Sequence, residues 1–152
     1  MQLAFYAAPG IGSLIALSGP AGRSVRTTAT LPQPDSVALA SKLVGKWTGK
    51  RFESSSTTGQ RYTMQWKKDT TGALVGTVSM PSGSSYATRV VWSSDTGFIT
   101  ESAPHKSGKL GEEVVTRTLS HFKGDSLTGT FEMRPMTYKG HSETGHFSAK
   151  KG

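Results

Sequence analysis

Residues 60–68 read QRYTMQWKK, and this stretch decides the fold. Tyr62, Met64 and Trp66 occupy every second position, and polar side chains fill the positions between them. A strict period of two is typical of a β-strand that has one face buried and the other face in water. The stretch therefore predicts a β-strand with one face buried and the other exposed to solvent.

The same alternation recurs between residues 43 and 151, interrupted by short turns rich in Gly, Ser, Asp and Pro. It predicts eight strands, at residues 43–53, 60–68, 73–80, 85–93, 98–102, 110–122, 127–134 and 145–150. Short connections make strands that are neighbours in sequence pair antiparallel in space. Many twisted strands with one apolar face curl until the first pairs with the last. The pattern predicts an all-β fold, an eight-stranded antiparallel up-and-down β-barrel.

A short helix is predicted just before the first strand. Residues 37–42 follow two candidate N-cap residues, Asp35 and Ser36. The residues expected at helical spacing on its buried face are Val37, Ala40 and Leu43. A helix of this length suffices to plug one end of a barrel, so residues 35–151 are assigned to one barrel domain.

The N-terminal segment differs in composition from the barrel sequence. Residues 3–17 are apolar and uncharged, and small residues follow through Gly22. A membrane span needs ~20 apolar residues, whereas a secretory signal needs fewer. Residues 1–30 are therefore predicted to be a signal peptide or, alternatively, a disordered tail. The first alternative makes the protein exported, periplasmic or extracellular, with no stable membrane span after signal removal.

The composition argues against several functions. The chain has no cysteine and a formal net charge of +8, but its Lys and Arg residues are scattered rather than clustered. Scattered charge favours a solvated surface over a nucleic-acid-binding stripe. His141 and His146 are five positions apart, which sends them to opposite faces of a strand. We find no metal-ligand spacing and no acid–base pair, so the sequence predicts neither an enzyme, a metal site nor a cofactor.

Apolar residues of the predicted inner faces would share one interior. These are Trp47, Tyr62, Met64, Trp66, Leu74, Val78, Tyr86, Val90, Trp92, Leu127, Phe131 and Phe147. Barrels of this size hold ligands at their open end. We therefore expect a monomer that binds a small, partly apolar ligand. The candidate ligand-binding residues are Tyr62, Trp66, Tyr86, Trp92 and Phe131.

Two features leave alternatives open. A barrel filled by its own side chains would act through its outer surface, as a structural or interaction domain of the cell envelope. The polar loop 103–108, with His105 and Lys106, is either a lid over the open end or a solvated turn.

Charged residues are predicted to pair across strands on the outer face. The carboxylates are Glu101, Glu113 and Glu132, and the nearby guanidinium groups belong to Arg89, Arg117 and Arg134. If the inward and outward positions are inverted over residues 98–134, the same side chains would instead line a polar cavity.

The sequence LVGKWTG at residues 43–49 carries a G-x-W motif directly after the predicted helix. It resembles the lipocalin and wider calycin superfamily, and in particular the small lipocalin-like domains of uncharacterised exported bacterial proteins. The resemblance implies that Gly45 and Trp47 are structural residues near the closed end of the barrel. It also implies that a late basic residue, Lys150, packs on Trp47 by a cation–π contact.

A second resemblance concerns nitrobindin-like haem barrels, which begin with G-x-W-x-G. Gly45, Trp47 and Gly49 match this motif. The resemblance implies a haem ligand on the last strand, where His146 stands. The alternation of the last strand, with Phe147 and Ala149 inward, predicts that His146 faces outward.

Overall fold

The computed structural model describes residues 36–137 and 140–152. The predicted signal peptide, residues 1–30, and the candidate N-cap Asp35 lie outside the described residues. Within them, the helix α1 (Ser36–Leu43) is followed by nine strands. These are β1 (Gly45–Glu53), β2 (Gln60–Lys68), β3 (Leu74–Ser79), β4 (Ser85–Ser93), β5 (Phe98–Ser102), β6 (His105–Lys106), β7 (Glu113–Lys123), β8 (Ser126–Pro135) and β9 (Glu143–Lys151).

The strands close into a barrel. Strands that are neighbours in sequence pair antiparallel, except that β5 pairs with β7 and not with β6, and β1 pairs with both β2 and β9. β6 pairs with β7 and continues the line of β5 after a break. Eight strands therefore form one closed antiparallel ring, which confirms the predicted fold class.

The barrel core is built from the alternation seen in the sequence. Tyr62, Met64 and Trp66 of β2 are buried, whereas their polar neighbours face outward. The predicted inward residues of the other strands lie in the same cluster, with Tyr86 and Val90 partly buried against it. Trp92 is the exception.

The prediction that Trp92 faces the interior is wrong, since its side chain is 47% exposed. Val90 pairs with Thr100, but Trp92 pairs with Ile99, so β4 carries one extra residue between them. An extra residue in one strand is a β-bulge, and it moves the following side chains to the opposite face. The bulge therefore turns Trp92 outward.

A second irregularity separates β5 from β6. Glu101 pairs with Arg117, whereas His105 pairs with Val114, so one extra residue again stands on one side. The shift brings His105 against the ring of Tyr86. The polar loop predicted at residues 103–108 thus contains a short strand.

The helix α1 packs on the core through Leu39, Ala40 and Leu43. The expectation that Val37 is buried is wrong, because its side chain is 73% exposed. A helix turns ~100° per residue, so two positions place Val37 on nearly the opposite side from Leu39.

Trp47 is anchored at this end of the barrel. Its Nε1 donates a hydrogen bond to the carbonyl oxygen of Leu43 at 2.8 Å. The Nζ of Lys151 lies 5.7 Å from the centroid of the Trp47 ring and also donates to the carbonyl of Lys42 at 2.9 Å. The predicted cation–π contact exists, but the cation belongs to Lys151. Lys150 is the wrong residue because it has the opposite parity and faces solvent.

Gly45 of the G-x-W motif has a physical reason to be glycine. Its φ is 126°, in the region that side chains with a Cβ rarely adopt, and an added Cβ would lie 3.0 Å from Cε of Lys151. The absence of a side chain at Gly45 therefore leaves room for Lys151 to pack on Trp47.

The predicted ion pairs lie on the outer face. Arg117 pairs with Glu101 across strands at 3.9 Å, as predicted, whereas Arg134 pairs with Glu132 of its own strand at 2.7 Å. Arg89 lies opposite Glu101 in the strand register.

The same strands show where Glu113 lies and whether the inward and outward positions are inverted over residues 98–134. Glu113 is exposed and lies opposite Lys106. The inverted arrangement over residues 98–134 is wrong, because Phe98 and Val114 are buried inside.

Candidate functional site

The open end of the barrel, opposite α1, holds a pocket of about 690 Å³ that we call the mouth pocket. Four basic residues line it: Arg51, Arg61, Lys106 and Lys109. Glu53 is the carboxylate among the lining residues, so the lining carries a net positive charge. Such a surface attracts acidic ligands.

A second, smaller cavity of about 40 Å³ lies in the barrel interior. A water molecule needs ~10–15 Å³ on this measure, so the cavity has room for a few small groups. Its surface is mostly apolar, although the lining includes Thr100, Thr118 and Ser120, whose hydroxyl groups bond to one another. The barrel is therefore largely filled by its own side chains, with a small, mostly apolar chamber left inside.

Four of the five predicted ligand-binding residues line the interior cavity: Tyr62, Trp66, Tyr86 and Phe131. Trp92 does not, because the bulge places it outside. Arg51 and Tyr86 line both the interior cavity and the mouth pocket. These two side chains therefore form the neck between the two spaces.

Arg51 is a buried cation at this neck, with 8% of its surface exposed. Its Nη2 donates to Glu53 Oε1 and to Met133 Sδ, each at 3.2 Å. Its Cζ lies 4.5 Å from the centroid of the Phe131 ring. Its Nε has no hydrogen-bond partner among the described residues.

An ion network ties Glu53 to the rim of the mouth pocket. Lys109 Nζ lies 2.9 Å from Glu53 Oε2 and 3.1 Å from Glu143 Oε1, and it also contacts Ser55 Oγ. The hydrogen bonds to Glu53 and Glu143 raise the pKa of Lys109 above its ordinary value. The loop that follows β6 is thereby fastened to β1 and β9.

Two further buried donors lack partners. The hydroxyl of Tyr62 and the Nε1 of Trp66 have none within the described part of the chain. Burial, and then the nearby Tyr86, raise the pKa of Tyr62 well above its ordinary value, although Arg51 opposes the shift. Tyr62 therefore stays protonated and able to donate. A buried donor without a partner costs ~1–3 kcal/mol, so each one needs an explanation.

His105 and Tyr86 form a stacked pair beside the neck. Their ring centroids are 3.7 Å apart and their planes differ by 12°. His105 Nδ1 lies 3.0 Å from the carbonyl oxygen of Ala103, and Nε2 lies 3.4 Å from Thr116 Oγ1. Burial lowers the pKa of His105, so the ring is neutral at pH 7. Burial likewise raises the pKa of Tyr86.

His146 lies away from this site. Its side chain is exposed on the outer face, as its parity predicted, and its ring stacks on Phe52 at a centroid distance of 5.0 Å. It does not line the interior cavity. A haem ligand inside the barrel would therefore need a different residue from the one the resemblance implies.

Two searches of the described residues gave negative results. No group of three His, Asp or Glu side chains in residues 36–137 and 140–152 is arranged to hold a metal ion. No helix in this part of the chain has the length and apolarity of a membrane crossing.

Comparisons with models of protein families, with curated proteins and with solved structures give no match. The class of protein is thus defined by the fold alone, a small closed antiparallel β-barrel with a helix at one end.

The sequence analysis missed Arg51 and Glu53. Both residues share the parity of Trp47 on β1, so the alternation places them inside. Charged side chains are seldom fully buried unless paired, and for this reason they were not considered as interior residues. The signal that could have identified them is the presence of a basic and an acidic residue at inward positions near the end of one strand.

Proposed function

We propose that this protein is an exported lipocalin-like barrel that binds a small, partly apolar molecule through its open end. The ligand carries a carbonyl or carboxylate oxygen that reaches the buried donors. Its apolar part rests in the mouth pocket, whose volume falls in the range of small-molecule sites.

One observation carries the proposal. Three buried donors, Arg51 Nε, Tyr62 OH and Trp66 Nε1, have no partner among the described residues, and their side chains all line the interior cavity. An oxygen acceptor entering through the neck would reach the unpaired donors of Arg51 and Tyr62 first, whereas Trp66, opposite Gly45, lies deeper in the barrel. The net positive lining of the mouth pocket favours the same class of ligand.

The ligand must be small at its inner end. The interior cavity of about 40 Å³ has no room for a long acyl chain. Only the acceptor and its nearest atoms fit beyond Arg51 and Tyr86.

Tryptophan fluorescence tests the proposal. The Trp92→Phe variant removes the exposed indole, so that the emission reports the buried Trp47 and Trp66. The probes are sodium octanoate, 2-octanone and octylamine, which share an apolar chain and differ in the head group. We expect a saturable change with octanoate and 2-octanone, which carry an acceptor, and none with octylamine.

Tyr62→Phe in the same background is the decisive variant. It removes one donor to the ligand and leaves no protein group unpaired, so the fold should persist. Loss of one hydrogen bond of ~1 kcal/mol predicts about a five-fold weaker affinity for both acceptor probes. An unchanged affinity in Tyr62→Phe, or an equal response to octylamine, would overturn the proposal. Either result would favour a filled barrel that acts by its outer surface.

A further inference from the structure

The outer face of the barrel carries a row of alternating charge across four adjacent strands. Arg89 of β4 lies opposite Glu101 of β5, Glu101 lies opposite Arg117 of β7, and Arg117 lies opposite Glu132 of β8. We call these four residues the charged row. Its signs run plus, minus, plus, minus.

A second row runs beside it on the same face. Trp92 lies opposite Ile99, Ile99 opposite Leu119, and Leu119 opposite Thr130. Trp92 is 47% exposed and Leu119 is 53% exposed, and both are among the large apolar side chains that face water. We call these four residues the apolar row. The bulge in β4 is what brings Trp92 into it.

The two ends of the apolar row differ in shape. Trp92, at the β4 end, is a large ring that projects from the surface. A groove of about 510 Å³ is lined by residues that include Ile99, Leu119, Thr130 and His146, so it runs from β5 across β7 and β8 to β9. The groove therefore crosses the centre of the face, and Trp92 stands beyond its β5 side.

We propose that this face is an interface between two copies of the chain, related by a two-fold axis. The axis runs along the strand direction between β5 and β7, in the plane of the contact. It reverses the order of both rows while each row still faces its own counterpart. Arg89 then faces Glu132 of the second copy, and Glu101 faces its Arg117.

The same rotation also matches the apolar rows. It sets Trp92 over Thr130 of the second copy, within the groove, and Ile99 over Leu119. One operation therefore pairs every charge with its opposite and every projecting ring with a concave site. An isologous dimer interface requires this self-complementarity.

The charge pattern favours a second copy over other occupants. The charged row holds two Arg and two Glu, and Arg134 beside it pairs with Glu132, so these five residues carry a net charge of only +1, too little to favour a nucleic acid or an anionic membrane. An unrelated protein would match the alternation only by coincidence, whereas reversing this row inverts every sign. The inference departs from the expectation of a monomer, and it does not depend on the proposed ligand binding.

The contact is small. The four strands are half of a closed eight-stranded ring, so the face is convex and the central residues Glu101, Arg117, Ile99 and Leu119 approach their counterparts most closely. A standard stable interface covers ~800 Å² on each partner, so we expect a weak dimer that forms at high micromolar concentrations.

Sedimentation equilibrium of the wild type up to about 1 mM, with two charge-reversal variants, tests the interface. Arg89→Glu with Arg117→Glu makes the row wholly acidic, and Glu101→Arg with Glu132→Arg makes it wholly basic. We expect each variant alone to be monomeric and an equimolar mixture to form heterodimers. Circular dichroism confirms that each variant is folded. A monomeric wild type at the highest concentration overturns the inference, and so does a mixture of folded variants that stays monomeric.

A milder variant covers the case in which a charge-reversal variant does not fold. Trp92→Ser changes an exposed side chain and should leave the fold intact while weakening dimerisation at least ten-fold. Val37→Ser on α1 removes another exposed apolar side chain, outside both rows, and should leave dimerisation unchanged. Equal effects of the two substitutions would show that association is non-specific.

Discussion

Trp47 and Trp66 lie at the same end of the barrel interior, since Trp66 pairs with Gly45, two residues before Trp47 on β1, and each is only 2% exposed. The indole N–H of Trp47 donates to the carbonyl of Leu43, whereas that of Trp66 has no partner among the described residues. Burial alone does not distinguish the two rings. The difference in hydrogen bonding does.

This contrast extends to the surroundings of each ring. Around Trp47, α1 and Lys151 complete the packing and the polar contacts. The donors of Tyr62 and Arg51, further along the barrel towards the open end, also lack partners. Folded proteins satisfy nearly all their buried polar groups, so the side of the interior that carries these three donors is the better candidate for a site that binds another molecule.

The largest expected effect concerns the ion pair at the open end. Glu53→Gln removes the carboxylate that pairs with the buried Arg51 and also with Lys109. Leaving a buried charge uncompensated costs ~3–5 kcal/mol, so we expect a loss of that order in the free energy of unfolding, measured by urea denaturation. The matched control is Glu132→Gln, whose exposed pair with Arg134 should contribute less than ~1 kcal/mol. Similar losses in both variants would mean that Arg51 is not held as the structure indicates.

The two tryptophans are compared directly by the same substitution. Trp47→Phe and Trp66→Phe lose the same volume, but only the first breaks a hydrogen bond. Leaving the carbonyl of Leu43 without this donor should make Trp47→Phe less stable than Trp66→Phe by ~1–3 kcal/mol. Urea denaturation of the two variants measures the difference. Equal stabilities would remove the distinction between the two rings.

A smaller effect is expected for the cation at the closed end. Lys151→Met removes the charge near Trp47, and a cation–π contact at a partly exposed site contributes ~0.5–1 kcal/mol. Lys150→Met makes the same chemical change on the outer face and should be neutral. A loss for Lys150→Met equal to that for Lys151→Met would count against the assignment of Lys151 as the closing residue.

The smallest effect concerns pH. Burial lowers the pKa of His105 in the folded state, so the unfolded chain takes up the proton at a higher pH than the folded protein does. The stabilisation is complete above the unfolded pKa of ~6.5 and is lost as the pH falls from there through the folded pKa. Thermal unfolding between pH 7.5 and 5 should show this loss in the wild type and a shallower one in His105→Gln. Identical slopes would indicate that His105 is accessible to protons in the folded state.

The fold was predictable because its signal is local. In β2 the apolar residues Tyr62, Met64 and Trp66 follow the period of two without interruption, and the short turns leave only antiparallel pairing between neighbours. The closed barrel follows from these two facts. Ligand identity, family and localisation stay predictions, since none of them is encoded in strand periodicity.

The errors at the candidate site arose where the period is broken by one residue. The bulge after Val90 moves Trp92 outward, and the shift after Glu101 brings His105 inward. A bulge depends on pairing with a neighbouring strand, so no window of one strand reveals it. The site therefore gained one residue and lost another for the same physical reason.

The seam between β1 and β9 has a consequence for how the barrel forms. Most strand pairs join residues that are close in sequence, but Lys151 bonds to a residue 109 positions away, Lys42. Contacts between distant parts of a chain form late and slow the overall rate. The hairpins should form first and give an open curved sheet. Its two edge strands stay unpaired until the C-terminal strand docks on the first strand. A chaperone or another unfolded chain would compete for the edges of that open sheet until Lys151 packs on Trp47 and the barrel closes.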